Sequence, residues 1–351
     1  MKSVARMALE EGMVIAADVT NYRGDIIVPK GTTVNSGIIG KLERNSIICV
    51  DIMEKVDYAT THFEKIRLSE SFKKFEEAYR SQMPVYKSMM SDFVSFGVPL
   101  KMEKLMEIHD TIRSCARSGE TLLDYLYNML PDEDELTHTH CLNSALIAGV
   151  FADWLSMEAA KRIELIQCGF LYDIGKLRLS NDILWKPGKL TELEFMQIKT
   201  HTLIGYNLLE KQPIPDCIKR CTLMHHERCD GTGYPSNLKK DQIDLYARYM
   251  SIIDTYEAMT SARSYRETLT PLQVIARFEA DGYGKYDNEL LRPILKRLAD
   301  SQIGLTVRLN DDSKWEVFII NPSKLSRPIL KKDDVLLNLH EHPELDIVAI
   351  Y

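Results

Sequence analysis

Apolar positions change their period along the 351 residues, and each change predicts a different kind of structure. Residues 12–52 alternate short apolar runs with turn signals. GMVIAADV is followed by a turn at 21–25 around Gly24, then IIVPKGTTV, a short helical stretch at 38–42, and SIICVDI. That pattern predicts a small β-rich module with a hairpin. From about residue 60 the spacing lengthens to three and four, with Phe63, Ile66, Leu68, Phe72, Phe75 and Tyr79 set among charges, which predicts amphipathic helices. Pro84 and the segment 97–99 should divide this region into separate helices, and PDEDE at 131–135 forms an acidic boundary. Residues from about 136 to 300 read as helix almost throughout. The last fifty return to strand patterns, with IGLTVRLN, a turn at 311–313, KWEVFIIN and LDIVAIY. Their apolar runs favour a packed β-appendage over a solvated tail.

The expected fold is mainly α, a helical bundle flanked by two small β-rich pieces. Its expected parts are a β-rich regulatory or dimerising domain at 1–58, a helical linker at 59–133, the helical domain at 134–300 and the appendage at 301–351. Helices like those of the linker often pair, so a homodimer is among the expectations.

Composition narrows the function classes. A net charge of −7, with 27% charged and 45% hydrophobic residues, argues against a general nucleic-acid-binding surface. An anionic ligand must therefore meet a local cluster of positive charge. The apolar stretch at 145–155 is broken by Asp153 and falls short of the roughly 20 residues that span a bilayer. The start meets Glu10 and Glu11 before any apolar run develops, unlike a secretion signal, so a cytoplasmic protein without membrane contact is expected. The 7 cysteines lack paired short spacing and read as reduced thiols, with Cys217 and Cys221 read as small core side chains.

Within the helical part, His140, Asp173, His201, His225, His226 and Asp254 follow one another in order. Asp173 closes the apolar text at 169–172, and Asp254 sits between Ile253 and Ala258 in a similar run, so both carboxylates should face inward. A buried carboxylate is costly without a cation or donor network. Imidazole with carboxylate suits divalent ions, and a pair of ions about 3.5 to 4 Å apart suits displacement at phosphorus. Lys176, three residues past Asp173, could neutralise a phosphate oxygen. Taken singly, each of these residues has an ordinary structural explanation; the string HHERCDGTGYP at 225–235 makes the set specific.

FLYDIGKLRLSNDILWKPGKLTELEFMQIKTHTLIGYNLL at 170–209, HHERCDGTGYPSNL at 225–238 and IIDTYEAMTSARSYRETLTP at 252–271 resemble the successive signatures of HD-GYP phosphodiesterases. The resemblance covers residues from about 136 to 300. It implies the HD-superfamily helical bundle, two divalent ions, iron or manganese, and hydrolysis of cyclic di-GMP to the linear dinucleotide or GMP by metal-activated hydroxide. Mapped by motif, it makes Asp173 a bridging ligand and His140, His201, His225, His226 and Asp254 its companions. Lys176, Arg263 and Arg266 would grip substrate phosphates, a task suited to guanidinium. Gly231, Gly233, Tyr234 and Pro235 match the name-giving loop. Tyr234 could contact a guanine or a signalling partner, or only pack the loop.

The chain departs from the family where a histidine should precede Asp173, for it has Tyr172. A phenol must lose its proton to ligate well, so the ion depending on position 172 should bind more weakly. Leu136 replaces a carboxylate that recruits a third ion in some members, so at most two are expected. His138, a substitute ligand in principle, should point elsewhere. Two readings follow, a phosphodiesterase impaired by Tyr172 or an inactive cyclic di-GMP receptor or scaffold. The Gly-Tyr-Pro loop and the SARSYR segment speak against a general nucleotidase.

Overall fold

In a computed structural model of the chain, strand β1 (Lys2–Ala5) pairs antiparallel with the strand at Cys49–Ile52, and β2 (Val19–Thr20) with β3 (Ile26–Val28). The structure describes every residue except 1, 10–11, 22–23, 46, 53–60, 130–135, 185, 187, 189, 262–268 and 282–283. The β2–β3 pair is the expected hairpin. Its turn has Gly24 at φ +88°, a conformation that glycine adopts without strain, and the Gly24 N–H donates to the Asn21 carbonyl. Asn35 caps α1 (Ser36–Arg44), which packs Leu42 against Ile15, Val28 and Val34 under the strands, and Cys49–Ile52 is β4.

Packing groups the chain differently from the four segments read along the sequence. Met1–Lys65 form one compact unit and Ile66–Tyr351 another, with the short helix α2 (His62–Arg67) across the division. The stretch read as a linker supplies core to the larger unit. Helix α3 (Glu70–Phe96) buries Phe72, Phe75, Tyr79, Met83, Tyr86, Met90 and Phe93 along one stripe. It runs unbroken through Pro84, contrary to the expected division. An interior proline costs about 3 kcal/mol. Burying each large apolar side chain on either side of it returns about 1.5–3 kcal/mol, and the stripe prevails. Gly97, at φ +69°, ends the helix as the sequence implied. Helices α4 (Met102–Arg113) and α5 (Gly119–Asn128) follow in the same core.

Helix α6 (Leu136–Trp154) is apolar on all sides and buried from Thr139 to Ala152, the mark of a central helix. It packs closely on α7 (Ala159–Leu171), where a Cβ added to Gly169 would lie 2.5 Å from the Ala145 Cα. After α7 the chain tightens into a 3-10 turn, Ile174–Arg178, and a Cβ at Gly175 would lie 1.9 Å from the His201 carbonyl oxygen. The helices α8 (Asn181–Leu184), α9 (Glu192–Lys199), α10 (His201–Glu210), α11 (Asp216–Met224), α12 (Leu245–Thr260), α13 (Pro271–Asp281) and α14 (Asn288–Asp300) complete the bundle.

The C-terminal strands β5 (Thr306–Leu309), β6 (Lys314–Ile319), β7 (Ile329–Lys332), β8 (Val335–Asn338) and β9 (Ile347–Ile350) form one antiparallel sheet ordered β8-β7-β6-β5-β9. It is the packed appendage expected, because Val307, Leu309, Val317 and Leu330 join the helical core. The buried Glu279 carboxylate of α13 holds it too, accepting from Leu325 N at 2.7 Å and Ser326 Oγ at 2.5 Å. Among the described residues no helix is long and apolar enough to cross a membrane.

The α6–α7 contact leaves no room for a methyl group at position 169. Gly169→Ala is expected to destabilise the larger unit by about 1–3 kcal/mol, read as a lower denaturation midpoint. An unchanged midpoint would contradict the close approach.

Candidate metal centre

Helix ends place most of the candidate ligands. His140 lies in the first turns of α6, Asp173 just beyond α7, His201 opens α10, and His225 and His226 follow α11, while Asp254 projects from within α12. All six come together as two groups whose ligand atoms lie within 4.8 Å of one another. One group is Asp173, His201, His225 and His226, and the other is His140, Asp173 and Asp254. Asp173 is common to both, the position expected of a bridging carboxylate.

The first group is short of positive charge. His201 Nδ1 lies 2.5 Å from the Ile198 carbonyl and His225 Nδ1 2.9 Å from that of Thr222. N–H donation to those carbonyls leaves both Nε2 atoms with lone pairs. These atoms face Asp173 Oδ1 at 3.2 and 3.4 Å and each other at 3.3 Å. Asp173 is 0% exposed, and its Oδ1 makes no hydrogen bond. Burial favours neutral imidazole at His225, and at His226 burial and the neighbouring His225 hold the pKa well below the ordinary histidine value. Three electron-rich atoms thus converge in a dry site, an arrangement that a divalent cation relieves. The donors fit an ion.

The second group is already compensated. His140 Nδ1 meets the buried Glu257 carboxylate, while its Nε2 lies 2.9 Å from Asp254 Oδ1 and 2.6 Å from the Tyr172 hydroxyl. Burial opposes charge on His140, but Glu257 and Asp254 outweigh it and push the imidazolium up to about 9. Tyr172 is fully buried, its hydroxyl 3.0 Å from Ser144 Oγ. Burial and then the Asp254 and Asp173 carboxylates raise the phenol well above its ordinary value, so it stays neutral. Lys176 Nζ sits 2.5 Å from Asp173 Oδ2, and Asp173 is held well below the usual carboxylate range. Burial alone would raise Asp173; the Lys176 ammonium is the largest influence opposing it. An ion fits here only by displacing a proton and shifting an ammonium.

A family model described as an HD domain matches residues 124–290. Over 181 residues the chain is 35% identical to a cyclic di-GMP phosphodiesterase of Pseudomonas aeruginosa, covering 51% of this chain and 44% of that protein. Over 174 residues it is 33% identical to a cyclic di-GMP phosphodiesterase of Thermotoga maritima, covering 49% of this chain and 47% of that one. A 3'3'-cGAMP-specific phosphodiesterase of Vibrio cholerae is 33% identical over 162 residues, covering 46% of this chain and 35% of its own length. The chain thus resembles an HD domain over residues 124–290. It spans less than half the length of each of these relatives.

The Gly-Tyr-Pro loop folds back over the candidate ligands. A Cβ at Gly233 would lie 2.4 Å from the Glu227 Cα, so only glycine allows the approach, and Gly231 has φ +84°. The buried Glu227 carboxylate accepts from Ser236 N at 2.7 Å and Leu238 N at 2.9 Å, pinning the loop from below. The Tyr234–Pro235 peptide is cis, and the Tyr234 ring stacks on His226 with centroids 4.6 Å apart. His138 packs edge-on against Tyr86 and joins neither ligand group. Arg263 and Arg266 lie outside the described residues.

Sequence reasoning missed Glu257 and Glu227. Glu257 stands one helical turn past Asp254 on the same apolar face, a signal that was available. Asn143 Nδ2 donates to it at 2.9 Å, so it is a buried acid that orients and charges His140.

Ion uptake by this centre should differ between its two halves. The proton on His140 is lost only as pH rises through about 9, so an ion entering the His140–Asp254 half must displace it. Calorimetric titration with manganese should show one ion bound at neutral pH and a weaker second one. The affinity of the second should rise by about tenfold per pH unit toward that value. A second ion indifferent to pH would contradict the assignment. Glu257→Gln is expected to weaken that second ion about 10–100-fold and leave the first in place, read by elemental analysis after dialysis.

Proposed function

We propose that the HD-GYP domain hydrolyses a cyclic dinucleotide, with cyclic di-GMP as the substrate and divalent iron or manganese as the cofactor. The observation that carries this reading is the shared Asp173, whose buried Oδ1 is unbonded while two imidazole Nε2 atoms face it. Bound ions would supply Lewis acidity and an activated water for in-line attack at phosphorus. The chain's own residues hold and orient the diester. Lys176 is 19% exposed at its side chain, and its ammonium persists because Asp173 and Asp254 outweigh the effect of burial. It gives a fixed positive charge beside the place where a phosphate oxygen would sit. Arg263 and Arg266, matched by motif, would add guanidinium donors to the same phosphates. Tyr234, seated on His226, closes one wall against water. The named activities of the relatives support a phosphodiester substrate, and the product would be linear pGpG or GMP.

One observation favours a second reading, a cyclic di-GMP receptor or a scaffold docking a signalling protein through the loop around Tyr234. Tyr172 fills the place of the missing histidine with a neutral phenol, and its hydroxyl meets the His140 nitrogen that would otherwise turn to an ion. Binding would survive this and turnover would not.

Incubating the manganese- or iron-loaded protein with cyclic di-GMP separates the two. Turnover to the linear dinucleotide supports the enzyme, and calorimetric binding with no product under any metal supports the receptor. Absence of both binding and turnover sinks the assignment of this ligand. Tyr172→His is expected to bind the second ion about 10–100-fold more tightly and to hydrolyse faster than the parent. A variant that gains the ion but no rate would place the limit elsewhere.

A further inference from the structure

Helix α9 buries none of its residues, and Leu193, Phe195 and Met196 stand in solvent beside the metal centre. The helix is nonetheless fixed at its start. The Glu194 carboxylate accepts from Thr191 N at 2.7 Å and from Lys186 Nζ at 2.7 Å, and Thr191 Oγ1 accepts from Glu194 N at 3.3 Å. At its other end, two residues before His201, Lys199 lies between two aromatic rings. Its Nζ is 4.5 Å from the Phe195 ring centre and 5.2 Å from that of Tyr234, and the two rings meet edge to face at 6.3 Å.

Two aromatic faces hold a cation in place without using up its N–H groups as an acceptor oxygen would. Among the described residues Lys199 makes no ion pair and no side-chain hydrogen bond. The bracket is therefore a positioned donor with no acceptor among the described residues. Tyr234 joins it to the metal centre, since the same ring stacks on His226. Phe195, 45% exposed, offers an open π-face at the rim.

We propose that Lys199, bracketed by Phe195 and Tyr234, reads the purine of the bound dinucleotide and selects guanine over adenine. The inference rests on the reading of this domain as a cyclic-dinucleotide site. Guanine presents two adjacent acceptors, O6 and N7, to an ammonium, whereas adenine replaces O6 with an amino donor. Lysine has three donors and no acceptor, so it satisfies the first edge and opposes the second. Phe195 supplies a stacking surface indifferent to which base lies on it.

The test measures the binding of cyclic di-GMP and cyclic di-AMP to the metal-loaded full chain by calorimetry, with metal content followed alongside. Lys199→Met, which keeps the apolar stem, is expected to lose about tenfold or more for cyclic di-GMP and little for cyclic di-AMP. Lys199→Arg should retain the preference, and Phe195→Ala should weaken both ligands alike. Metal content should be the same in all three. The proposal is overturned if Lys199→Met binds cyclic di-GMP as the parent does, or loses both ligands equally. If the parent hydrolyses bis(p-nitrophenyl) phosphate but binds neither dinucleotide, the base reading fails while phosphodiester chemistry stands. If it does neither, both fail.

Discussion

A fully buried carboxylate on which imidazoles from three helices converge, Asp173, is the constraint on which the rest of this protein depends. Its negative charge has no access to water, and an uncompensated carboxylate in such surroundings costs several kcal/mol. The fold brings compensation from different places in sequence. Lys176 comes from the tight turn just beyond and His140 from α6, while His201 at the start of α10 and His225 just past α11 turn lone pairs toward it that await a cation. The packing serves the same end. Without a side chain at Gly175, the turn that carries Lys176 rests directly on the backbone of His201. Backbone contact of this kind sets ligand positions more rigidly than side-chain packing could.

The two oxygens of that carboxylate meet different surroundings, and the difference defines the chemistry available. On the Oδ2 side, the Lys176 ammonium donates a hydrogen bond and the protonated His140 imidazole lies 3.4 Å away. On the Oδ1 side, only lone pairs face it. Tyr172 belongs to the first side and completes it, because its hydroxyl bridges His140, Ser144 and Asp254 in a network that needs no ion. The phenol is thus a neutral partner for His140.

Most of the candidate cluster was legible because buried acids and histidines in apolar helical text have few inexpensive explanations, and His140, Asp173, His201, His225, His226 and Asp254 do converge. What escaped notice depended on contacts distant in sequence. Glu257 read as one more charge on a helix until α6 brought His140 and Asn143 against it. Pro84 read as a break because the weight of the buried stripe on either side of it is a tertiary quantity. The helices over 70–128 read as a connection for the same reason, since only packing shows that Phe75 and Tyr86 belong to the core around α6. Lys199 carried no signal at all, because its significance comes from two rings that only the fold places around it.

The rim and the floor of the site are built on different physical terms. The floor is dry, charged and held by backbone contacts and buried acids, including Glu227 beneath the loop and Glu257 behind His140. The rim at Phe195 and Lys199 is open and held by a helix cap and aromatic faces. A cyclic dinucleotide has matching parts, charged phosphates that need the floor and flat bases that need only surface and a few donors. On the proposed reading, recognition by the rim would require no ion and no particular protonation of His140, whereas turnover would require both halves of the floor. On that reading a single substitution at position 172 would separate binding from hydrolysis, because the phenol meets the electrostatics of one half of the floor and touches neither Phe195 nor Lys199.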